Sequence, residues 1–86
     1  IIRIDPDNFK AYYYRGGANF DLDKYEDAIS DYTRAIRIDP DNFEANNQRA
    51  YSYNKLGKYE DAIASLNIAI RKHPDNTYLY DSRAKL

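Results

Sequence analysis

Apolar and small residues recur along this chain at helical intervals, and the intervals break at regular places. From about Lys10 to Leu22, the residues Ala11, Tyr14, Ala18 and Leu22 fall on one face of a helix. From Tyr25 to Ile38, the residues Ala28, Ile29, Tyr32, Ala35 and Ile36 fall at i, i+1, i+4, i+7 and i+8, a wider stripe suited to a second helix packed on the first. Asp7 and Asn8 supply capping oxygens just after Pro6, and Pro40 ends the second helix because the residue before a proline is pushed out of the helical region. Between the helices sits Asp23, a tolerated choice for a left-handed stop. The pattern predicts a helical hairpin.

The hairpin then repeats. Pro6, Pro40 and Pro74 stand at a constant spacing of 34 residues, inside Asp5-Pro6-Asp7-Asn8-Phe9, Asp39-Pro40-Asp41-Asn42-Phe43 and His73-Pro74-Asp75-Asn76-Thr77. Lys24-Tyr25-Glu26-Asp27-Ala28-Ile29 returns as Lys58-Tyr59-Glu60-Asp61-Ala62-Ile63, and Ala35-Ile36-Arg37 as Ala69-Ile70-Arg71. In the second copy Gly57 follows Leu56 as a helix stop should. A hairpin of this size cannot bury its apolar stripe alone, so copies are expected to stack into a solenoid. Ala28, Ala35, Ala62 and Ala69 lie where helices would cross, with Gly16, Ala50 and Ala84 in the same role on the first helices.

Composition narrows the function classes. With 13 Lys and Arg against 14 Asp and Glu, interspersed, the chain has a formal charge of −1 and no basic stripe of the kind that neutralises phosphates. Nucleic acid is not an expected partner. Without cysteine there is no disulfide framework or thiolate metal site. No apolar run approaches the length of a membrane span, and no signal-peptide pattern opens the chain. A soluble, cytoplasmic protein without membrane contact is the expectation. The chain lacks Met and opens on Ile1-Ile2-Arg3-Ile4, which reads as a piece of a longer protein.

These residues resemble the tetratricopeptide repeat family, a helix-turn-helix of 34 residues with a small residue midway along the first helix, an aromatic after the turn, Ala on the second helix and a closing Pro. Gly16, Tyr25, Ala28, Tyr32, Ala35 and Pro40 carry the resemblance in the first copy, and Ala50, Tyr53, Gly57, Tyr59, Ala62, Ala69 and Pro74 in the second. It implies an all-α, right-handed helix-turn-helix solenoid. Residues 1–8 would be the end of a preceding second helix and its loop, 9–42 and 43–76 two full repeats, and 77–86 the start of a further first helix. Where the family has Leu on the first helix, this chain has Arg15, Arg49 and Arg83. A half-buried Arg needs an acceptor, and Asp31 is a candidate for Arg15 or Arg49, although Ser65 replaces it one repeat later. Asn46 stands where the other copies have Tyr12 and Tyr80, a spot expected to pack loosely.

The resemblance also implies a site. Positions that point into the concave face map onto Lys10, Tyr13, Gly17, Phe20 and Asp21, then Glu44, Asn47, Tyr51, Asn54 and Lys55, then Tyr78, Asp81 and Lys85. Aromatic, amide and charged groups of both signs suit an extended peptide or a helix of a partner protein. A subset of the family clamps chaperone C-terminal carboxylates with Lys, Asn and Arg. Here Tyr13, Gly17, Gln48, Tyr78 and Ser82 occupy those positions, so that clamp is lost.

No catalytic, cofactor-binding or metal-binding residue is expected. His73 is the lone histidine and has no second ligand or nucleophile nearby in the repeat. Asp39, Asp41 and Glu44 only superficially suggest a calcium loop, since Phe43 and Glu44 stand where such a loop needs a ligand and a glycine. The expected function is a protein-interaction scaffold that does no chemistry itself. The alternatives are an architectural segment that associates end to end, and a regulatory repeat region of a larger protein whose activity lies elsewhere.

Overall fold

A computed structural model describes residues 6–84. Within them lie five helices and no strand: α1 (Pro6–Asp21), α2 (Tyr25–Ile38), α3 (Phe43–Lys55), α4 (Tyr59–Lys72) and α5 (Thr77–Ala84). The expected readings of Ile1 to Asp5, Lys85 and Leu86 lie outside the described residues.

The two hairpin turns use one device. Asp23 and Gly57 take φ of 61° and 75°, and the next amide reaches back over the stop: Lys24 N–H donates to the Asn19 carbonyl (2.8 Å) and Lys58 N–H to that of Tyr53 (2.9 Å). This closure satisfies carbonyls that the last turn would leave bare. Asn42 caps α3, its Oδ1 accepting from Ala45 N–H at 3.1 Å. Lys24 and Lys58 precede α2 and α4 without a capping side chain, and Glu26, Asp27, Glu60 and Asp61 offset the positive helix starts instead.

Consecutive helices pack in chain order, α1 on α2, α2 on α3, α3 on α4 and α4 on α5. Small residues set the approach, since Ala28, Ala35, Ala62 and Ala69 are all buried at the contacts. A Cβ at Gly16 would lie 2.8 Å from the Tyr32 ring, so only glycine admits that tyrosine. Ala50, Ala62, Leu66, Ala69, Ile70 and Leu79 form the core cluster of the second unit, with Phe43 and Tyr53 against it.

Two expectations for packing are corrected. Ala11, Tyr14, Ala18 and Leu22 face outward, Tyr14 and Leu22 at 67% and 65% exposure. One repeat later the same face of α3 has α2 to pack on, and Ala45 and Ser52 there are buried; among the described residues α1 has no helix on that side. Ala84, expected to serve like Gly16 and Ala50, is exposed for the matching reason that no described helix lies beyond α5.

The arginine row runs along this packing. Arg15 donates from Nε (3.0 Å) and Nη2 (2.6 Å) to Asp31 Oδ1, while Asn19 Nδ2 donates to Asp31 Oδ2 at 2.9 Å. Arg49 has only neutral acceptors: Ser65 Oγ at 3.1 Å, Thr33 Oγ1 at 3.2 Å and Asn46 Oδ1 at 3.1 Å. Burial accordingly pushes the Arg49 guanidinium below its ordinary pKa, whereas the Asp31 hydrogen bond raises that of Arg15. Arg83 donates to Asn67 Oδ1 at 2.9 Å and lies over the Tyr80 ring. Asn46 is fully buried, and its Nδ2 has no hydrogen-bond partner.

Candidate peptide-binding groove

The first helices form one layer. α1 and α3 touch directly across the unit boundary, and two side-chain bonds cross the layer: Tyr13 hydroxyl to Glu44 Oε2 at 3.5 Å, and Tyr51 hydroxyl to Ser82 Oγ at 3.3 Å. α1 packs on α2 and α3 on α4, and several residues of this layer sit at the edge of those contacts, part covered and part open.

The first unit supplies an aromatic floor. Phe9 stacks on Tyr13 with ring centroids 5.7 Å apart, Tyr13 tilts against Tyr32 at 5.8 Å, and Phe20 meets the edge of Tyr25 at 5.3 Å. Tyr32 comes from α2, and sequence reasoning assigned it wholly to the core. Its ring is indeed buried under Gly16, but its hydroxyl reaches 3.7 Å from where a Gly17 side chain would start. The Gly16-Gly17 pair is the signal for this, because two adjacent residues without side chains leave room first for a ring and then for its hydroxyl. Burial, with Tyr13, Asp21 and Asp31 nearby, pushes the Tyr32 phenol up to about 12.

The predicted residues separate into groups. Tyr13, Phe20, Tyr51 and Asn54 are half-buried, while Lys10, Asp21, Glu44, Lys55 and Asp81 are exposed. Asn47 is buried at 2% exposure, so it supports the wall more than it faces the layer's surface. Tyr78 lies on α5, and Lys85 is beyond the described residues. His73 sits at the end of α4 with Nε2 2.6 Å from the Asp41 carbonyl oxygen and the Phe43 ring edge-on beside it, a loop contact between units. Among the described residues no cluster of His, Cys, Asp or Glu could hold a metal ion, and no helix is long and apolar enough to cross a membrane.

Two family models, both described as tetratricopeptide repeat, match residues 9–42 and 31–64. The chain belongs to the tetratricopeptide repeat family. Among solved structures it is similar to the first tetratricopeptide repeat domain of Spaghetti (RPAP3), bound to the HSP90 peptide SRMEEVD, at 29% identity and a TM-score of 0.87. That match covers 96% of this chain and 66% of the other. A comparison with curated proteins gave no match. The tetratricopeptide fold makes this chain an interaction scaffold by class. Its layer differs from a clamp for acidic tails at the positions named above, with Tyr13, Gly17, Gln48, Tyr78 and Ser82 in place of the Lys, Asn and Arg such a clamp needs.

Proposed function

We propose that this chain holds a peptide or helical segment of a partner protein against the layer formed by α1, α3 and α5. The observation that carries this is the division of labour on the first helices. The small residues Gly16 and Ala50 are buried against the second helices, while Tyr13, Phe20, Tyr51 and Asn54 are half-buried, with charges around them. Aromatic anchors with a polar rim are the composition of a protein interface. The peptide-bound domain to which the chain is similar supports the same use of the fold. An Asn54 amide can hydrogen-bond a peptide backbone of any sequence, while the rings beside it set preference.

The test starts from a bound segment selected with the intact chain. Tyr51→Ala and Asn54→Ala are each expected to cost more than ~1 kcal/mol of binding, with Arg37→Ala on α2 near neutral. Loss of binding in Arg37→Ala alone, with both groove variants folded and unaffected, would move the interface to the second helices.

A second reading, end-to-end self-association, is favoured by the open face of α1, where Tyr14 and Leu22 are two-thirds exposed.

A further inference from the structure

The two adjacent glycines of α1 differ in what the fold asks of them. A side chain at Gly16 would strike the Tyr32 ring, its Cβ 2.8 Å from the nearest carbon, so packing alone requires that glycine. Gly17 has no such reason. Among the described residues a Cβ there would come within 4 Å of only the Tyr32 hydroxyl oxygen, at 3.7 Å, an ordinary contact, and glycine weakens a helix interior. What Gly17 does is leave that hydroxyl uncovered from α1. Tyr32 is 2% exposed, yet its hydroxyl neither donates to nor accepts from another described residue. A buried phenol ordinarily has a partner. Gly17 itself is half-open, and it stands four residues after Tyr13 and three before Phe20 on one stripe of α1. It is a gap in the row of rings, with a hydrogen-bonding group at its floor. Unit two has no such gap, because Tyr51 and Leu66 take the places of Gly17 and Tyr32.

We infer that the bound segment lies extended across α1 at Gly17, and that one of its main-chain carbonyls accepts a hydrogen bond from the Tyr32 hydroxyl. This rests on the layer being the binding surface. Tyr13 and Phe20 are seven residues apart, about 10.5 Å along the helix, and an extended chain takes up ~4.8 Å beside a neighbour, so a main chain fits between the rings. The group at the floor selects the occupant. Burial, with Tyr13, Asp21 and Asp31 nearby, pushes the phenol up to about 12, so at neutral pH it keeps its proton and can donate. A carboxylate would give up its hydration for one phenol, which does not replace it, so an uncharged oxygen suits the site better. Every residue carries such an oxygen in its peptide carbonyl. In an extended segment that carbonyl is open, whereas a helix uses its carbonyls on its own amides. Gly17 lets a backbone come that close, which a side chain would prevent.

The probe is a heptapeptide selected on the intact chain from an immobilised random library. Tyr32→Phe keeps the ring and removes the hydroxyl. It is expected to weaken binding about fivefold and leave the melting temperature at neutral pH unchanged, since the hydroxyl bonds no described residue of the fold. Gly17→Ala is expected to weaken binding about tenfold while the melting temperature holds or rises, because alanine favours a helix. Replacing each peptide amide in turn by an ester weakens one carbonyl acceptor at a time. At one bond the ester should reduce affinity for the native chain and reduce it less for Tyr32→Phe, a coupling that identifies the carbonyl. Binding unchanged by Tyr32→Phe, ester and hydroxyl losses that add at every bond, or a coupling to a side-chain oxygen of the peptide instead overturns the inference. So does a lower melting temperature in Gly17→Ala, which would give that glycine a packing role. In each of these cases weaker binding by Tyr51→Ala leaves the groove standing. Binding that Tyr51→Ala and Asn54→Ala both leave untouched, or no bound peptide at all, overturns the groove and this contact together.

Discussion

Arg15 and Arg49 occupy the same place in successive units, and they are neutralised differently. Arg15 meets a carboxylate that is itself held by Asn19, whereas Arg49 is more deeply set and finds a serine, a threonine and an amide. A buried cation served only by neutral dipoles has lost hydration that they replace incompletely. Ser65→Asp gives Arg49 the partner Arg15 has, and is expected to raise stability by ~1 kcal/mol, read as a higher melting temperature. Asp31→Ser should lower it. A second residue-scale prediction concerns Tyr32. Its folded pKa stands near 12 against an ordinary 10.0, so the folded state holds the phenol proton more tightly. That stabilisation is complete below pH 10 and is lost as pH rises through the folded value. Thermal melts from pH 9 upward should therefore fall less steeply for Tyr32→Phe than for the native chain, and the tyrosinate absorbance of the native chain should show one late-titrating group.

At the scale of helices, the hairpins were legible in the sequence because their signals are local. Proline spacing, the glycine stop at Gly57 and the alanine rows each act within one turn of where they stand, and the helices form there. What was not legible depended on neighbours. Tyr14 and Leu22 carry the period of a buried face, yet burial requires a helix opposite, and none of the described residues supplies it. The candidate site was legible as a set of positions on α1, α3 and α5 but not as surfaces. Asn47 sinks into the wall, and the Tyr32 hydroxyl arrives from another helix through a gap that only the paired glycines foretell. That gap gives a prediction. Unit one joins its helices with Gly16 and Tyr32, and unit two uses Ala50 and Leu66 at the same places. Gly16→Ala alone pushes a methyl to 2.8 Å from the Tyr32 ring and should cost ~1 to 3 kcal/mol. Combined with Tyr32→Leu, the pair becomes that of unit two, and most of the loss should return. A double-mutant cycle by thermal or urea unfolding reads the coupling, and additive losses would mean that the two positions do not share a contact.

The described residues form a short stack, 38 × 31 × 17 Å, in which each helix touches its chain neighbours, so the faces of α1 and α4 that no described helix covers differ from the middle. α1 presents Ala11, Tyr14, Ala18 and Leu22, the counterpart of the α3 face that α2 covers within the stack. At the other end Tyr59 and Ile63 are exposed on α4, at 55% and 38%, where α2 in the equivalent place has Tyr25 and Ile29 half-covered. One end therefore carries the apolar surface that the other would pack in a longer stack. Such a contact is head to tail and does not close on itself, so it would produce short open chains of molecules and not a discrete dimer. It would also be weak, because α5 already covers part of α4. Light scattering should show the weight-average mass rising with concentration and approaching association only on the order of millimolar. Tyr14→Lys with Leu22→Lys should hold the mass at that of one chain. Because both side chains are largely exposed, the substitutions should leave the melting temperature of the dilute protein unchanged. A mass that stays at one chain for the native protein at millimolar concentration, or that rises equally for the double variant, would show that the open α1 face is tolerated in water and drives no assembly.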